Sequence, residues 1–412
     1  MNKSGRYIGI IIGLISTLCL LSSAGCEIIL GPQFAQFPGV DELPDVNGLP
    51  DPFITKIGGR VRNKAEWRQR REEIKEMMLY YQYGQMPPAP FEVTGKILSS
   101  AITFDGAAVK RHVLITITPK KKILPFGEEK TFSFNVGIIV PWGDGPFPVI
   151  LKNDEAILNV PIAEEIVARG YIVADYVRTD LDPDQNNVIG AAQMAYPDYD
   201  WGTLAVWAWG AMRVIDYLVT LDEVDNDKII FTGHSRGGKV ALLAGALDER
   251  IAITVPNGSG CGGAGCYRFT DEEAESLELI TRPDRFSYWF AERFRDFAGK
   301  ETRLPFDQHF LKALVAPRAL LSVDGLGDLW ANPLGTQQSY RGALPVFDFL
   351  DATDKLGIYY RPGAHAQNED DWRTLVEFAD RIFFGKEPVS GKCFGMEPFP
   401  DAPKPYSWWA PK

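Results

Sequence analysis

Residues 228–245 read KIIFTGHSRGGKVALLAG. The run "KIIFTGH" is β-branched and apolar, as a buried strand requires, and "GGKVALLAGAL" carries the alanine and leucine content of a helix. Between them stands Ser235, with Gly233 and Gly237 two residues away on either side. Connectors rich in glycine and serine are common, and a tight turn alone accounts for that much. The order strand, GxSxG, helix predicts something narrower, a nucleophile elbow in which the glycines let strand and helix approach closely and the serine hydroxyl projects above the sheet. Such a serine becomes a nucleophile only with a carboxylate and then a histidine at the ends of later strands.

The chain has four histidines, and two follow Ser235. His309, in "PFDQHFLKALVAPRALL", precedes the strand that should deliver the acid and reads as structural. His365, in "YYRPGAHAQNEDDW", follows the last strand-like run in a short loop before a helix, where a general base must overhang the elbow. His112 precedes the core sheet, and His234 is expected to turn its side chain away from Ser235. For the acid, "RALLSVD" runs into "GLGDLWANP". Asp328 is favoured because a loop carboxylate can reach out to orient the imidazole, and Asp324 at the strand end is the alternative.

Outward from the elbow, strand-like runs "FNVGIIV", "FPVILKN", "YIVADYV", "IAITVPN", "RALLSVD" and "GIYYRP" alternate with helical patterns, among them "WGTLAVWAWGAMRVIDYLVTL". This alternation predicts an α/β fold with a mostly parallel central sheet and helices on both faces. Upstream, "NKAEWRQRREEIKEMMLYYQYGQMPP" is a charged helix ended by Pro87 and Pro88, with Trp67, Ile74, Met77 and Met78 as its packing stripe. There is no internal repeat, and "GHSRGGK" does not meet P-loop spacing.

With 412 residues, 45% of them hydrophobic and 12% aromatic, the chain can bury a large core. Its net charge of -11, with no long basic run, argues against nucleic acid or an anionic membrane surface as partner. The N-terminus has Lys3 and Arg6, an apolar run from Tyr7 to Leu21 and then small residues, the layout of a secretory signal. Cys26 after "SSAG" resembles a bacterial lipobox, with Ser23 where that pattern prefers leucine. The expected organisation is a signal over residues 1–25, a Pro/Gly-rich linker over 26–60 and a catalytic domain with an N-terminal helix over 61–400. The protein is expected to be exported and anchored through a lipid on Cys26, facing the periplasm or cell surface, or otherwise periplasmic or secreted. Cys261 and Cys266 could close a small disulfide, and no histidine stands at ligand spacing from them to suggest a metal site.

From about Trp67 to Phe384 the sequence resembles the bacterial glucuronoyl esterases of carbohydrate esterase family 15, through "WGTLAVWAWG", "GHSRGGK", "NGSGCGGAG", "PFDQHFLKALVAPRALL", "DLWANP" and "GAHAQNEDDW". The resemblance implies an α/β-hydrolase fold, a shallow open site, and cleavage of esters between the glucuronic acid branches of xylan and lignin alcohols. It implies Ser235 as nucleophile, His365 as base, Arg236 as an oxyanion contact, and Lys239 and Trp330 as contacts for the sugar acid. No metal or organic cofactor is implied. On their own, Arg236 reads equally as a surface ion-pair partner, Lys239 as a solvated helix residue and Trp330 as packing. Many members carry the acid as a glutamate after the strand that follows the elbow, where this chain has Gly258. Fungal members place cysteines beside the serine and histidine, where this chain has His234 and Ala364. Hydrolysis of another ester, such as acetyl on xylan, remains open, as do a peptidase, for which no gating domain is apparent, and a non-catalytic carbohydrate-binding protein on a hydrolase scaffold.

Overall fold

The computed structural model describes residues 37–120, 130–408, 410 and 411. Among them nine strands form one sheet in the order β1-β2-β3-β5-β4-β6-β7-β8-β9. They are β1 (Glu92–Thr103), β2 (Ala108–Thr118), β3 (Phe132–Pro141), β4 (Phe147–Asp154), β5 (Ile172–Val177), β6 (Val224–His234), β7 (Ile251–Asn257), β8 (Ala319–Gly325) and β9 (Leu356–Arg361). The first three and β5 pair antiparallel, while β5, β4, β6, β7, β8 and β9 are parallel. The parallel strands are buried almost throughout, which is why they read as continuous apolar runs.

The sequence reading did not identify β1 or β2. Most of β1 is exposed, so "EVTGKILSSAIT" shows no apolar face to reveal it. It is an edge strand whose partner β2 carries the alternation, with Val113, Ile115 and Ile117 buried.

The helices that frame the site are α1 (Lys64–Met78), α2 (Thr203–Leu218), α3 (Arg236–Leu247), α4 (His309–Val315), α5 (Pro333–Phe349) and α6 (Glu369–Phe384). The stripe of α1 is buried as expected, and Asn63 caps its first turn by accepting from Ala65 and Glu66 N–H. The tryptophan-rich α2 is buried nearly all round. Its Trp207 Nε1–H donates to Asp182 O at 2.8 Å. Helix α3 lies over β6 and β7, between α2 and α4. Only small side chains allow that, and Gly245 meets Thr254 so closely that a Cβ would sit 2.1 Å from its Oγ1.

The expected domain limits need correction. Residues 1–25, Cys26 and the rest of the chain to residue 36 lie outside the described residues. The remainder of the anticipated linker is not a free tether. Val46 N–H donates to Thr302 O, Leu49 N–H donates to Pro405 O, and Leu49 and Phe53 are fully buried. Phe53 lies against Trp67, Phe349 and Trp408, and Trp408 Nε1–H donates to Leu49 O at 2.8 Å. The domain therefore extends beyond 61–400 at both ends, because two apolar side chains in the Pro/Gly-rich stretch find a core site. Phe53→Ala is expected to cost about 3–5 kcal/mol in chemical denaturation. An unchanged midpoint would mean that the segment is a tether after all.

Candidate active site

Ser235 stands directly after β6 with φ 55° and ψ -121°, a conformation L-residues rarely adopt. Close backbone contact maintains it. A Cβ on Gly233 would lie 2.3 Å from Gly237 O, and one on Gly237 would lie 2.8 Å from Asn153 Oδ1, so neither position admits a side chain. Asn153, at the end of β4, fixes the underside of the turn by donating to Thr232 O (3.3 Å) and Gly237 O (3.0 Å). Ser235 N–H donates to Asn257 O at the end of β7. Because α3 begins at Arg236, the first N–H groups of that helix have no intrahelical acceptor and are available to an anion above the serine.

His365 Nδ1 lies 2.6 Å from Asp328 Oδ2. Asp328 is buried at the start of the short turn Leu329–Ala331, and its other oxygen accepts from Ala331 N–H at 3.3 Å. Asp324 has no bond to the histidine. It is buried at the end of β8, and burial pushes its carboxyl well above the usual range, with the neighbouring Lys312 acting the other way. Of the two candidates, then, Asp328 is the one in contact with His365. The absence of a carboxylate at residue 258 also has a local reason. Gly258 has φ 50°, and a Cβ there would sit 3.1 Å from His234 Cε1 and 3.5 Å from Asp328 Oδ2. The space that a side chain at 258 would enter is thus taken by Asp328 and His234.

Ser235, His365, His234 and Arg236 line one open cleft of ≈560 Å³, together with Lys152, Asn153, Arg178 and Gln367. His234 differs from expectation. Its ring is not turned away but rests 4.4 Å, centroid to centroid, from that of His365, with Nδ1 2.7 Å from Asn257 Oδ1. Burial, and then the neighbouring His365, depress its pKa to about 4, which keeps the ring neutral.

Arg236 is ion-paired with Asp184 and lies over the rings of Trp289 (5.1 Å) and Phe286 (5.6 Å). Burial works against the charge on Asp184, but bonds from Trp289, Arg236 and Tyr288 outweigh it and hold the carboxyl below its usual range. Trp330, two residues past Asp328, is 41% exposed and so available to a ligand.

Lys239 is not among the residues that line the cleft. It is 4% exposed, and its ammonium donates to Ser259 O, Cys261 O and Glu275 Oε2, the last at 3.0 Å. All three donors are committed, so a direct sugar contact would require one of these partners to be given up. Cys261 and Cys266, which could have closed a small disulfide, are free thiols; Cys266 Sγ is directed at Phe269 O, 3.7 Å away. His309 is structural as read, buried, 2.9 Å from Pro50 O, with its pKa pushed down by burial to about 3.

Sequence reasoning missed how the histidine loop is built. Arg361, at the end of β9, donates through NH2 to the carbonyls of Ala364 (3.0 Å) and Ala366 (2.6 Å), on either side of His365, and through NH1 to Pro362 O. Its Nε pairs with both oxygens of Asp371 in the first turn of α6. A charged pair buried to this degree fixes a loop by satisfying its carbonyls, since backbone acceptors cannot be left unpaired. The arginine at the end of "GIYYR" and the acidic run "NEDD" were the available signal.

The mostly parallel sheet, with a strained serine between strand and helix and an aspartate-bonded histidine over one cleft, defines the class as an α/β-hydrolase. The comparisons carry this further. The family described as "Glucuronyl esterase, fungi" matches residues 126–351. Carbohydrate esterase MZ0003 of an unknown prokaryotic organism is 32% identical over 393 residues, covering 82% of this chain and 90% of that protein. The 4-O-methyl-glucuronoyl methylesterase 1 of Wolfiporia cocos is 30% identical over 407 residues, covering 96% and 94%. A family 15 glucuronoyl esterase structure from Caldicellulosiruptor kristjansonii superposes with a TM-score of 0.75 at 31% identity, covering 90% of this chain and 98% of that one. The chain belongs to the glucuronoyl esterases of carbohydrate esterase family 15, and is a carboxylic ester hydrolase.

The two depressed histidines set a pH dependence. His234 and His309 have folded pKa values below the unfolded value of 6.5, so the unfolded chain binds more protons between pH 6.5 and about 4. The contribution of these two histidines to stability is complete above pH 6.5 and is lost as the pH falls through that window. In an NMR titration the His234 ring is expected to stay neutral down to about pH 4; a midpoint near 6.5 would contradict its burial.

Proposed function

We propose that the protein hydrolyses esters of 4-O-methyl-glucuronate branches of glucuronoxylan, releasing the alcohol of a lignin linkage, through an acyl-enzyme on Ser235. The observation that carries the mechanism is the 2.6 Å contact of His365 with Asp328 beside a strained Ser235 in one cleft. His365 takes the hydroxyl proton as Ser235 Oγ attacks the uronate carbonyl, and Asp328 stabilises the imidazolium. The N–H of Arg236, with its guanidinium nearby, meets the oxygen as it becomes negative. The tetrahedral adduct collapses, the C–O bond to the alcohol breaks, and the alcohol leaves with the proton from His365. Water, deprotonated by the same imidazole, then attacks the acyl-enzyme to release the uronic acid and restore Ser235. No step calls for a metal or an organic cofactor.

Support for the substrate comes from the Wolfiporia cocos relative, named a 4-O-methyl-glucuronoyl methylesterase, and from the cleft itself. Lys152, Asn153, Arg178 and Gln367 give the cleft a polar wall. Lys152 is paired with Asp154 and Arg178 with Glu155, while Gln367 Oε1 has no partner among the described residues and is the acceptor open to a sugar hydroxyl, which a small acetyl group would leave unpaired at about 1–3 kcal/mol. Trp330, in the turn that follows Asp328, is an exposed ring on which a sugar face could rest. Methyl glucuronate should therefore exceed acetate esters as substrate, and the reverse order would favour an acetyl esterase.

Asp328→Asn and Ser235→Ala are each expected to lower methyl glucuronate turnover by about 10^4-fold without unfolding the protein. Asp324→Asn should leave turnover within about 10-fold, its effect being on stability. The opposite ranking of the two aspartates in folded variants would overturn the triad.

We also propose export with a lipid anchor at Cys26, on the strength of the apolar run and "SSAGC". The full-length protein should partition with bacterial membranes and Cys26→Ala should not; a wholly soluble wild type with an unmodified N-terminus would refute the anchor.

A further inference from the structure

Asn257, 1% exposed at the end of β7, is bonded in three directions. Its backbone carbonyl accepts the Ser235 N–H at 2.9 Å, and its Oδ1 lies 2.7 Å from His234 Nδ1. Its side chain also reaches Asp371. Burial pushes that carboxyl up, while bonds from Asn368 N–H, Arg361 and the Asn257 amide work against the shift. Asp371 pairs in turn with Arg361, whose guanidinium holds the carbonyls on either side of His365. One buried side chain therefore connects the serine elbow with the histidine loop.

These partners decide the place of a proton. Asp371 is ion-paired with Arg361, and both Arg361 Nε and Asn368 N–H can only donate to it, so its oxygens are acceptors throughout. Asn257 must then present its NH2 to Asp371 and its oxygen to His234, which fixes the way the amide faces. An oxygen facing Nδ1 requires the imidazole proton there and leaves Nε2 bare in a neutral ring. The position of the ring is equally constrained. A Cβ on Gly258 would lie 3.1 Å from His234 Cε1, and on its other side the ring meets that of His365 at 4.4 Å between centroids. The charged groups that face it are Lys152 from β4 and Asp328 from the loop after β8, besides His365 itself, while Arg236 on α3 is engaged by Asp184. His365 becomes an imidazolium during the reaction, and a neutral neighbour leaves that charge unopposed where a second cation would repel it.

We propose that Asn257 is a positioning residue for ester hydrolysis, which ties the Ser235 elbow to the His365 loop and holds His234 against the base as an uncharged Nδ1–H tautomer. The proposal rests on the reading of Ser235 and His365 as nucleophile and base, and adds how the two are kept in register.

Nitrogen NMR of wild-type protein with isotope-labelled histidine, near neutral pH, tests the tautomer without altering Asn257. The signal lost in His234→Gln identifies His234, which should show a protonated Nδ1 and a bare Nε2; the opposite tautomer, or a charged ring, overturns the proposal. Asn257→Ala keeps the carbonyl that accepts the Ser235 N–H and removes only the side chain. It should lose about 10-fold in kcat on methyl glucuronate with KM within about 2-fold. Combined with His234→Ala, it should cost clearly less than the product of the two single losses, because the two side chains act along one path. Fully additive losses, a loss confined to KM, or unchanged turnover would each overturn the positioning role. Should Asn257→Ala fail to fold, the tautomer measured on the wild type decides. If the wild type does not hydrolyse methyl glucuronate, the substrate reading fails and the rate of fluorophosphonate labelling at Ser235 replaces turnover in the same comparison. If Ser235 is not labelled either, the nucleophile reading fails and the positioning role with it.

Discussion

Close contact between the backbones of β6 and α3 at Gly233 and Gly237 is what the site depends on. It holds Ser235 in a backbone conformation that costs of the order of 1–3 kcal/mol when unsupported. Three elements make the strain sustainable: Asn153 from β4 under the turn, Asn257 O from β7 on the Ser235 N–H, and the small-residue face of α3 against the sheet. The parallel strand order places β4 and β7 on either side of β6, so each support arrives from a neighbouring strand end. Ligands of open α/β sheets lie at the carboxyl ends of the strands for the same reason.

The second organising feature is charge buried under the histidine loop. Arg361 and Asp371 satisfy one another, and the guanidinium then holds the carbonyls that flank His365. In fungal relatives, by the resemblance, cysteines stand beside the serine and the histidine. Here His234 stands beside the serine, and its neutral ring packs against that of His365. Loop and ring together limit where the imidazole can go, and a base must be held within a fraction of an ångström to act. Asp328 completes this arrangement from the β8 side, and Gly258 leaves the room for it.

What was legible in the sequence follows from what repeats locally. The buried parallel strands announce themselves by apolar runs, and the elbow by its glycines, because each needs particular residues at fixed spacing. Edge strand β1 has no buried face and left no signal. The Pro/Gly-rich stretch read as a linker because its backbone is irregular, and only the long-range contacts of Leu49 and Phe53 show it to be part of the domain. The loop following β8 was enough to favour Asp328 over Asp324, but Lys239 shows the limit of spacing. One turn after Ser235 it can face either the cleft or the interior, and three acceptors from 20 to 36 residues away draw it inward. The Arg361–Asp371 pair left its charges in the sequence, but not its role, since it acts by bonding carbonyls whose positions no residue type encodes.

The central claim is that Ser235 is a nucleophile activated in place, and covalent trapping tests it most directly. Wild-type protein treated with a fluorophosphonate, digested and mapped by mass spectrometry should carry one adduct on the peptide containing Ser235, close to stoichiometric, and protein denatured before the treatment should carry none. Absence of an adduct from folded protein, or a modification mapped to a different residue, would contradict the account.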